Sequence, residues 1–167
     1  MHIGSVQGMA DQISKLTKVA PVQGVAPGKG CPLSDLRDKL RRAGLRPTRQ
    51  RVSLGWLLFA KGDRHVTAES LYEEATRARV PVSLATVYNT LHQFTDAGLL
   101  RQLAVDGSKS YFDTNPSEHH HFFVEEDQQL VDMPLNDIMV SSLPKPPEGH
   151  EVSRVEVIVR VRRSQTQ

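Results

Sequence analysis

Apolar residues recur every three to four positions at Leu33, Leu36, Leu40 and Ala43 and stop at Gly44, the pattern of a short amphipathic helix. Thr48 is placed to cap a second helix with Val52, Trp56 and Phe59 on its apolar face, and Thr67 a third with Ala68, Leu71 and Ala75 facing inward. Pro81 breaks the chain. Ser83 then caps a fourth helix with a stripe of Leu84, Val87, Leu91 and Phe94, and Gly98 ends it. Beyond Gly98 the period falls from about 3.6 to about 2. LLRQLAV and KSYFD flank Asp106-Gly107, a strong signal for a β-hairpin.

Helices followed by a two-stranded ribbon are the winged-helix order, and the fold class expected is α+β. An aperiodic segment rich in Gly, Pro, Val and Ala, residues 1–30, reads as a mobile arm that ends at Cys31-Pro32. Residues 31–114 read as a winged-helix DNA-binding domain and 115–167 as a small α/β dimerisation and sensing domain, with the boundary at Asn115-Pro116-Ser117. In the second unit HHHFFV and QLVDM are expected strands, Leu135 to Leu143 a short helix, and Pro144, Pro146 and Pro147 a stiff connection. Val155, Val157, Val159 and Val161 alternate with Glu156, Ile158, Arg160 and Arg162, the pattern of a half-buried strand. A unit of about 50 residues buries too little surface alone, so a homodimer is expected.

Formal charge is only +2, but it is unevenly spread. Leu33 to His65 hold nine Lys/Arg against Asp35, Asp38 and Asp63, while Thr114 to His150 hold seven Asp/Glu against Lys145. A basic first half suggests a nucleic-acid surface. On the fourth helix Ser83, Thr86, Asn89, Thr90 and Gln93, with Tyr88 beside them, lie opposite the apolar stripe. Their short or planar side chains suit base edges and phosphates. Arg46, Arg49 and Arg51, with Arg101 and Lys109 on the ribbon, are expected to contact phosphates. Arg46, stiffened by Pro47, suits a narrow A·T-rich minor groove. Two copies of such a head fit a palindromic, double-stranded operator.

Cys31 is the single cysteine, which excludes an intrachain disulfide and a thiolate-rich zinc site. A thiolate in Gly30-Cys31-Pro32 is a possible axial ligand of haem. His119, His120 and His121 are candidate ligands for haem or for a divalent ion. On a strand, His119 and His121 face one side and His120 the other. No apolar run reaches the roughly 20 residues of a membrane span, and the first residues lack a secretory core, so a cytoplasmic protein without a membrane partner is expected. No phosphate loop or Ser/His/Asp set is evident, and 5% aromatic residues leave little to wall a buried haem-enzyme pocket; an enzyme is not expected.

The order AGLRPTRQR, HVTAESLYEEA, VSLATVYNTLHQFTDAGLL, DGSKSYFD and HHH resembles the Fur (ferric uptake regulator) superfamily from about Leu36 onward, and RPTRQRVSLGWLLFAKGDRH resembles its Irr branch of iron response regulators. The resemblance implies that His65 and Asp113 match two regulatory metal-ligand positions, so that with His119 and His121 they form a mixed nitrogen and oxygen site for Fe, Mn or Zn. Glu125 and Asp132 are secondary candidates. It also implies a haem-sensing regulator of haem synthesis and iron homeostasis genes, with Cys31 as a haem regulatory motif. The sequence departs from Fur proteins where they carry Cys-x-x-Cys after the histidines: here it reads Val124-Glu125-Glu126-Asp127, so no structural cysteine-zinc site is expected. Arg154-Val155-Glu156 stands where Fur proteins place a late histidine, and Asn89 where a basic residue is common. A metal-only or peroxide-responsive repressor is the alternative, and a winged helix that docks protein is a rival of another class.

Overall fold

The structure, a computed structural model, describes residues 32–105, 107, 109–134 and 138–164. The expected arm, Cys31 and Asp106 of the hairpin turn lie outside these residues. The chain runs through α1 (Pro32–Arg42), α2 (Arg49–Phe59), β1 (His65–Val66), α3 (Ala68–Arg77), α4 (Leu84–Asp96), β2 (Arg101–Ala104), β3 (Ser110–Asp113), β4 (His120–Val124), β5 (Gln129–Met133) and β6 (Ile158–Val161).

The three polar residues expected as caps start their helices. Thr48 Oγ1 accepts from the Arg51 amide at 3.4 Å and Ser83 Oγ from the Thr86 amide at 3.1 Å. Thr67 forms a reciprocal box with Ser70: each side-chain oxygen accepts the other's backbone N–H, at 3.0 and 3.2 Å. At the end of α1 the chain turns through Gly44, φ 75°, and the Leu45 amide reaches back to the Leu40 carbonyl. Arg79 makes the equivalent turn between α3 and α4 with φ 55°, a region that costs an L-residue about 1 kcal/mol or more.

The helices close on one apolar cluster that includes Leu40, Leu54, Leu58, Leu71, Val87, Leu91, Phe94 and Phe112. The fully buried side of α2 is Leu54, Gly55 and Leu58; of the expected Val52, Trp56 and Phe59, Val52 and Phe59 pack half-buried against the cluster while Trp56 stays 37% exposed. No polar residue interrupts the helix from Leu54 to Phe59, so periodicity alone does not choose its buried face. Gly55 does: a Cβ there would come within 3.1 Å of the Leu36 side chain, so the bare glycine lets α1 approach. On α4 the buried set is Val87, Thr90, Leu91 and Phe94, while Leu84 is 36% exposed.

Two three-stranded sheets follow, ordered β1-β3-β2 and β5-β4-β6. The expected hairpin is the antiparallel β2/β3 pair, and β1 adds to its other edge. In the second sheet β4 pairs antiparallel with β5 and parallel with β6. Leu103 and Tyr111 of the first sheet pack with Phe123 and Leu130 of the second. Residues 138–143 hold no helix, contrary to expectation, and 135–137 lie outside the described residues. Met139 is 91% exposed there and Val140 and Leu143 nearly half, so little of this apolar stretch is packed, and packing is what stabilises a short helix. The last strand starts only at Ile158, because β4 offers pairing partners from His121 onward.

The Thr67 box directly follows β1 and thereby sets how His65 enters the sheet. Thr67→Ala should lower stability by about 1 kcal/mol, read as a lower urea midpoint with an unchanged slope. An unchanged midpoint would show that the cap does not hold this junction.

Candidate functional site

Two cross-strand pairs build the centre of the molecule. His65 on β1 stands opposite Asp113 on β3, and His121 on β4 stands opposite Asp132 on β5. The two pairs come from different sheets, and His119, just before β4, joins them. His65, Asp113, His119, His121 and Asp132 each offer a ligand atom, all within 4.8 Å of one another. The imidazole Nε2 atoms of His65, His119 and His121 lie 3.7, 3.0 and 3.5 Å from Asp113 Oδ2. From Asp132 Oδ1 they lie 3.1, 3.3 and 3.8 Å.

Neighbouring residues orient these groups. The backbone of Arg64 is held by Thr114 at both its N–H and its carbonyl, which braces the ends of β1 and β3. Asp113 Oδ1 accepts from the Asn115 amide at 2.8 Å, leaving Oδ2 directed at the imidazoles. His119 Nδ1 lies 2.9 Å from the Ser117 carbonyl, which only accepts, so Nδ1 carries the proton and Nε2 its lone pair.

The cluster is buried yet unsatisfied. His65 Nε2, Asp113 Oδ2, His119 Nε2 and both nitrogens of His121 are buried without a hydrogen-bond partner. Asp113 and His121 are 0% exposed. An uncompensated buried carboxylate is costly, and lone pairs that converge without hydrogens between them suit a cation. Donors about 2.1 Å from an ion sit about 3 to 3.4 Å apart when adjacent, which is the spacing of the closer pairs here. The residues present therefore fit a divalent metal. At Asp132 burial favours the protonated acid, but the three imidazoles beside its Oδ1 outweigh it and hold its pKa below the ordinary value. Asp132 had been only a secondary candidate; the β4/β5 register, which places it opposite His121, is the signal that finds it.

The exposed side of α4 presents Ser83, Asn89 and Gln93, with Thr86 and Tyr88 half-buried. Thr90 is a correction: it is 4% exposed and its hydroxyl donates back to the Thr86 carbonyl, so it belongs to the core rather than to the reading face. Tyr88 donates its hydroxyl to Glu69 at 2.5 Å. That bond holds the Glu69 carboxyl below its usual range and raises the phenol above its own. Sequence reasoning missed Glu69. Arg46, Arg49 and Lys109 are exposed, with Lys109 Nζ 2.8 Å from Gln128 Oε1, and Arg51 is half-buried. Arg101, expected at a phosphate, is instead 8% exposed, paired with Glu156 and donating to the Ser117 carbonyl at 2.9 Å.

The model of the ferric uptake regulator family matches residues 42–158. The chain belongs to that family. It is 35% identical over 92 residues to the ferric uptake regulation protein of Shigella flexneri, covering 55% of this chain and 62% of that protein, less than two thirds of its length. It is 35% identical over 102 residues to the peroxide-responsive repressor PerR of Staphylococcus aureus, covering 59% of this chain and 68% of that one. The structure of the Pseudomonas aeruginosa ferric uptake regulator with manganese aligns with 77% of this chain and 98% of its own, at 28% identity and a TM-score of 0.60. The Vibrio cholerae ferric uptake regulator, at 21% identity and a TM-score of 0.59, shares the fold.

Within this member of the Fur family the histidine triplet divides. His119 and His121 enter the five-residue cluster, whereas His120, 7% exposed, turns to the other side of β4, where its Nδ1 accepts from the Val157 amide at 3.4 Å. The split is the one expected of a strand, with His119 and His121 on one side and His120 on the other. The rings of His65 and His121, and of His119 and His121, meet edge to face at 5.0 and 4.5 Å between centroids, a spacing that suits an ion rather than a macrocycle.

At saturating Mn(II), about a hundredfold above Kd, the thermal midpoint should rise by the equivalent of about 2.7 kcal/mol. His121→Ala should abolish the rise. No midpoint shift with Mn(II), Fe(II) or Zn(II) would rule the cluster out as a metal centre.

Proposed function

We propose that the chain is a homodimeric, metal-responsive transcription regulator that reads A·T-rich palindromic DNA with the α4 helix of a winged-helix head. The observation that carries this reading is the cluster itself. His65 and Asp113 come from the sheet beside the helices, and His119, His121 and Asp132 from around the second sheet. An ion held by all five residues would fix one sheet against the other and so set the direction of α4. Residues 31–114 would serve as the head and 115–167 as the dimerisation and sensing unit.

Three imidazoles and two carboxylates suit Fe(II), Mn(II) or Zn(II). When bound, the ion supplies charge neutralisation and a fixed geometry. His65 and Asp113 carry that geometry to the head, since β1 leads directly into the Thr67 cap of α3 and Phe112, beside Asp113, packs in the helical core. The manganese-bound Pseudomonas relative and the Vibrio relative, whose structure is described in terms of its DNA-binding domains, support the same reading. The exposed apolar residues Met139, Val140, Leu143, Val152 and Val155 offer a surface for the second subunit. Among the described residues no helix is long and apolar enough to cross a membrane. An iron-responsive role of the Irr type extends this reading, but the geometry favours the ion over haem at His119 and His121.

A redox-responsive repressor is the second reading, supported by the S. aureus relative named for its response to peroxide. Loss of DNA binding on peroxide treatment of the Fe(II) form but not of the Mn(II) form would select it.

Mobility shifts with an A·T-rich palindromic duplex test the main reading. Mn(II) should tighten binding at least about tenfold, a difference of about 1.4 kcal/mol. His65→Ala should remove that gain while the far-UV spectrum is retained. Affinity should also fall steeply with salt. Equal binding with Mn(II) and with chelator would defeat the proposal.

A further inference from the structure

We propose that Arg51 is a positioning residue rather than a phosphate contact, and that it locks Gln93 into a donor-only contact with DNA. The inference rests on α4 being the reading helix. Arg51 Nε and Nη2 both donate to Gln93 Oε1, at 3.0 and 2.9 Å. Arg51 Nη1 donates to the Arg46 carbonyl at 2.9 Å. One guanidinium thus joins the exposed face of α4 to the turn that carries Arg46.

The chemistry fixes which way the carboxamide faces. A guanidinium has only donors, held in a rigid planar fork, so it must meet the oxygen of Gln93 and not the nitrogen. Two N–H groups occupy both lone pairs of that oxygen. The two hydrogens on Gln93 Nε2 are left for an outside partner. A free glutamine reads adenine with one donor and one acceptor together, and Gln93 in this arrangement has no acceptor to offer. Its fitting partner is a DNA acceptor: a phosphate oxygen, or a base edge such as guanine O6/N7 or thymine O4. Thr86, Asn89 and Gln93 follow at helical spacing along one side of α4, so this restriction bears on the same face as the other candidate reading residues. The bond to the Arg46 carbonyl meanwhile holds the Arg46 turn at a set distance from that face.

Two variants separate positioning from charge. Arg51→Lys keeps the charge but cannot span both acceptors, and should weaken binding to the A·T-rich duplex about tenfold or more in the Mn(II)-loaded protein. Gln93→Glu keeps a partner for the fork but removes the donors, and should weaken binding by a similar factor with an unchanged melting temperature. In a Gln93→Ala background, Arg51→Lys should cost much less than it does alone. A readout without DNA completes the test: the Arg51 Nε–H should give a slowly exchanging nitrogen-15 signal that Gln93→Ala removes. Arg51→Lys binding within about twofold of wild type, or additive losses, would overturn the proposal. A wild-type protein that binds no duplex, with the Nε–H signal intact, would sink the DNA reading and leave the clamp as a purely structural contact.

Discussion

The fold turns on a carboxylate that has nowhere to discharge. Asp113 is fully buried, one of its oxygens is taken by the Asn115 amide, and the other faces three imidazole nitrogens with no hydrogen bond completed. Burial of this kind is tolerated when a positive charge completes the site. A divalent ion would answer both carboxylates and the unpartnered imidazole nitrogens at once. Because these five residues span two sheets, an ion held by them would tie the orientation of one sheet to that of the other.

Around that centre, β1 and the helices are tied into one packed unit. β1 is only two residues long, yet it touches the site through His65, the core through Val66 and the α3 cap through Thr67. Arg64, just ahead of it, is tied by its backbone to Thr114 and by its guanidinium to Glu74 of α3. That pairing holds the Glu74 carboxyl below its usual range. A change at His65 or Asp113 therefore meets a packed unit, not a flexible loop. Packed cores shift between discrete arrangements more readily than they deform.

Local chemistry made the helix starts legible, because Thr48, Thr67 and Ser83 each supply the one side-chain oxygen that a helix N-terminus lacks. The β2/β3 ribbon was legible for a similar reason, with Gly107, φ 76°, at its turn. That His119 and His121 share a side followed from strand alternation, but their nearness to His65 and Asp113 was visible only through family resemblance; nothing local joins His65 to residues about fifty positions away. Thr90 was misplaced because a threonine reads as polar, yet in a helix its hydroxyl can bond its own preceding turn and leave a methyl for the core. Residues 138–143 were misread because an apolar segment becomes a helix only where one of its faces packs, and here Met139, Val140 and Leu143 remain exposed. Arg101 was misread because the acid that draws it inward, Glu156, lies 55 positions away in the sequence.

The second sheet shows what replaces a thiolate clip. Where Fur proteins carry Cys-x-x-Cys, the β4/β5 turn here holds Glu125, Glu126 and Asp127, and their carboxylates reach β6 and the residues after it. Glu126 accepts from the Arg163 amide at 2.8 Å, Asp127 lies 3.7 Å from the Arg163 guanidinium, and Glu125 lies 3.8 Å from that of Arg160. Arg160 also covers the ring of Phe123 and donates to the Val105 carbonyl of the β2/β3 ribbon. The same two segments are joined, but by exposed pairs that are individually weak and screened by salt. A thiolate-bound zinc would hold such a clip rigidly; arginines hold it through several soft contacts, one of which leads into the first sheet. In this chain the two sheets are thus joined by Arg160 as well as by the histidine cluster, so an ion held at the cluster would act on a joint already partly closed.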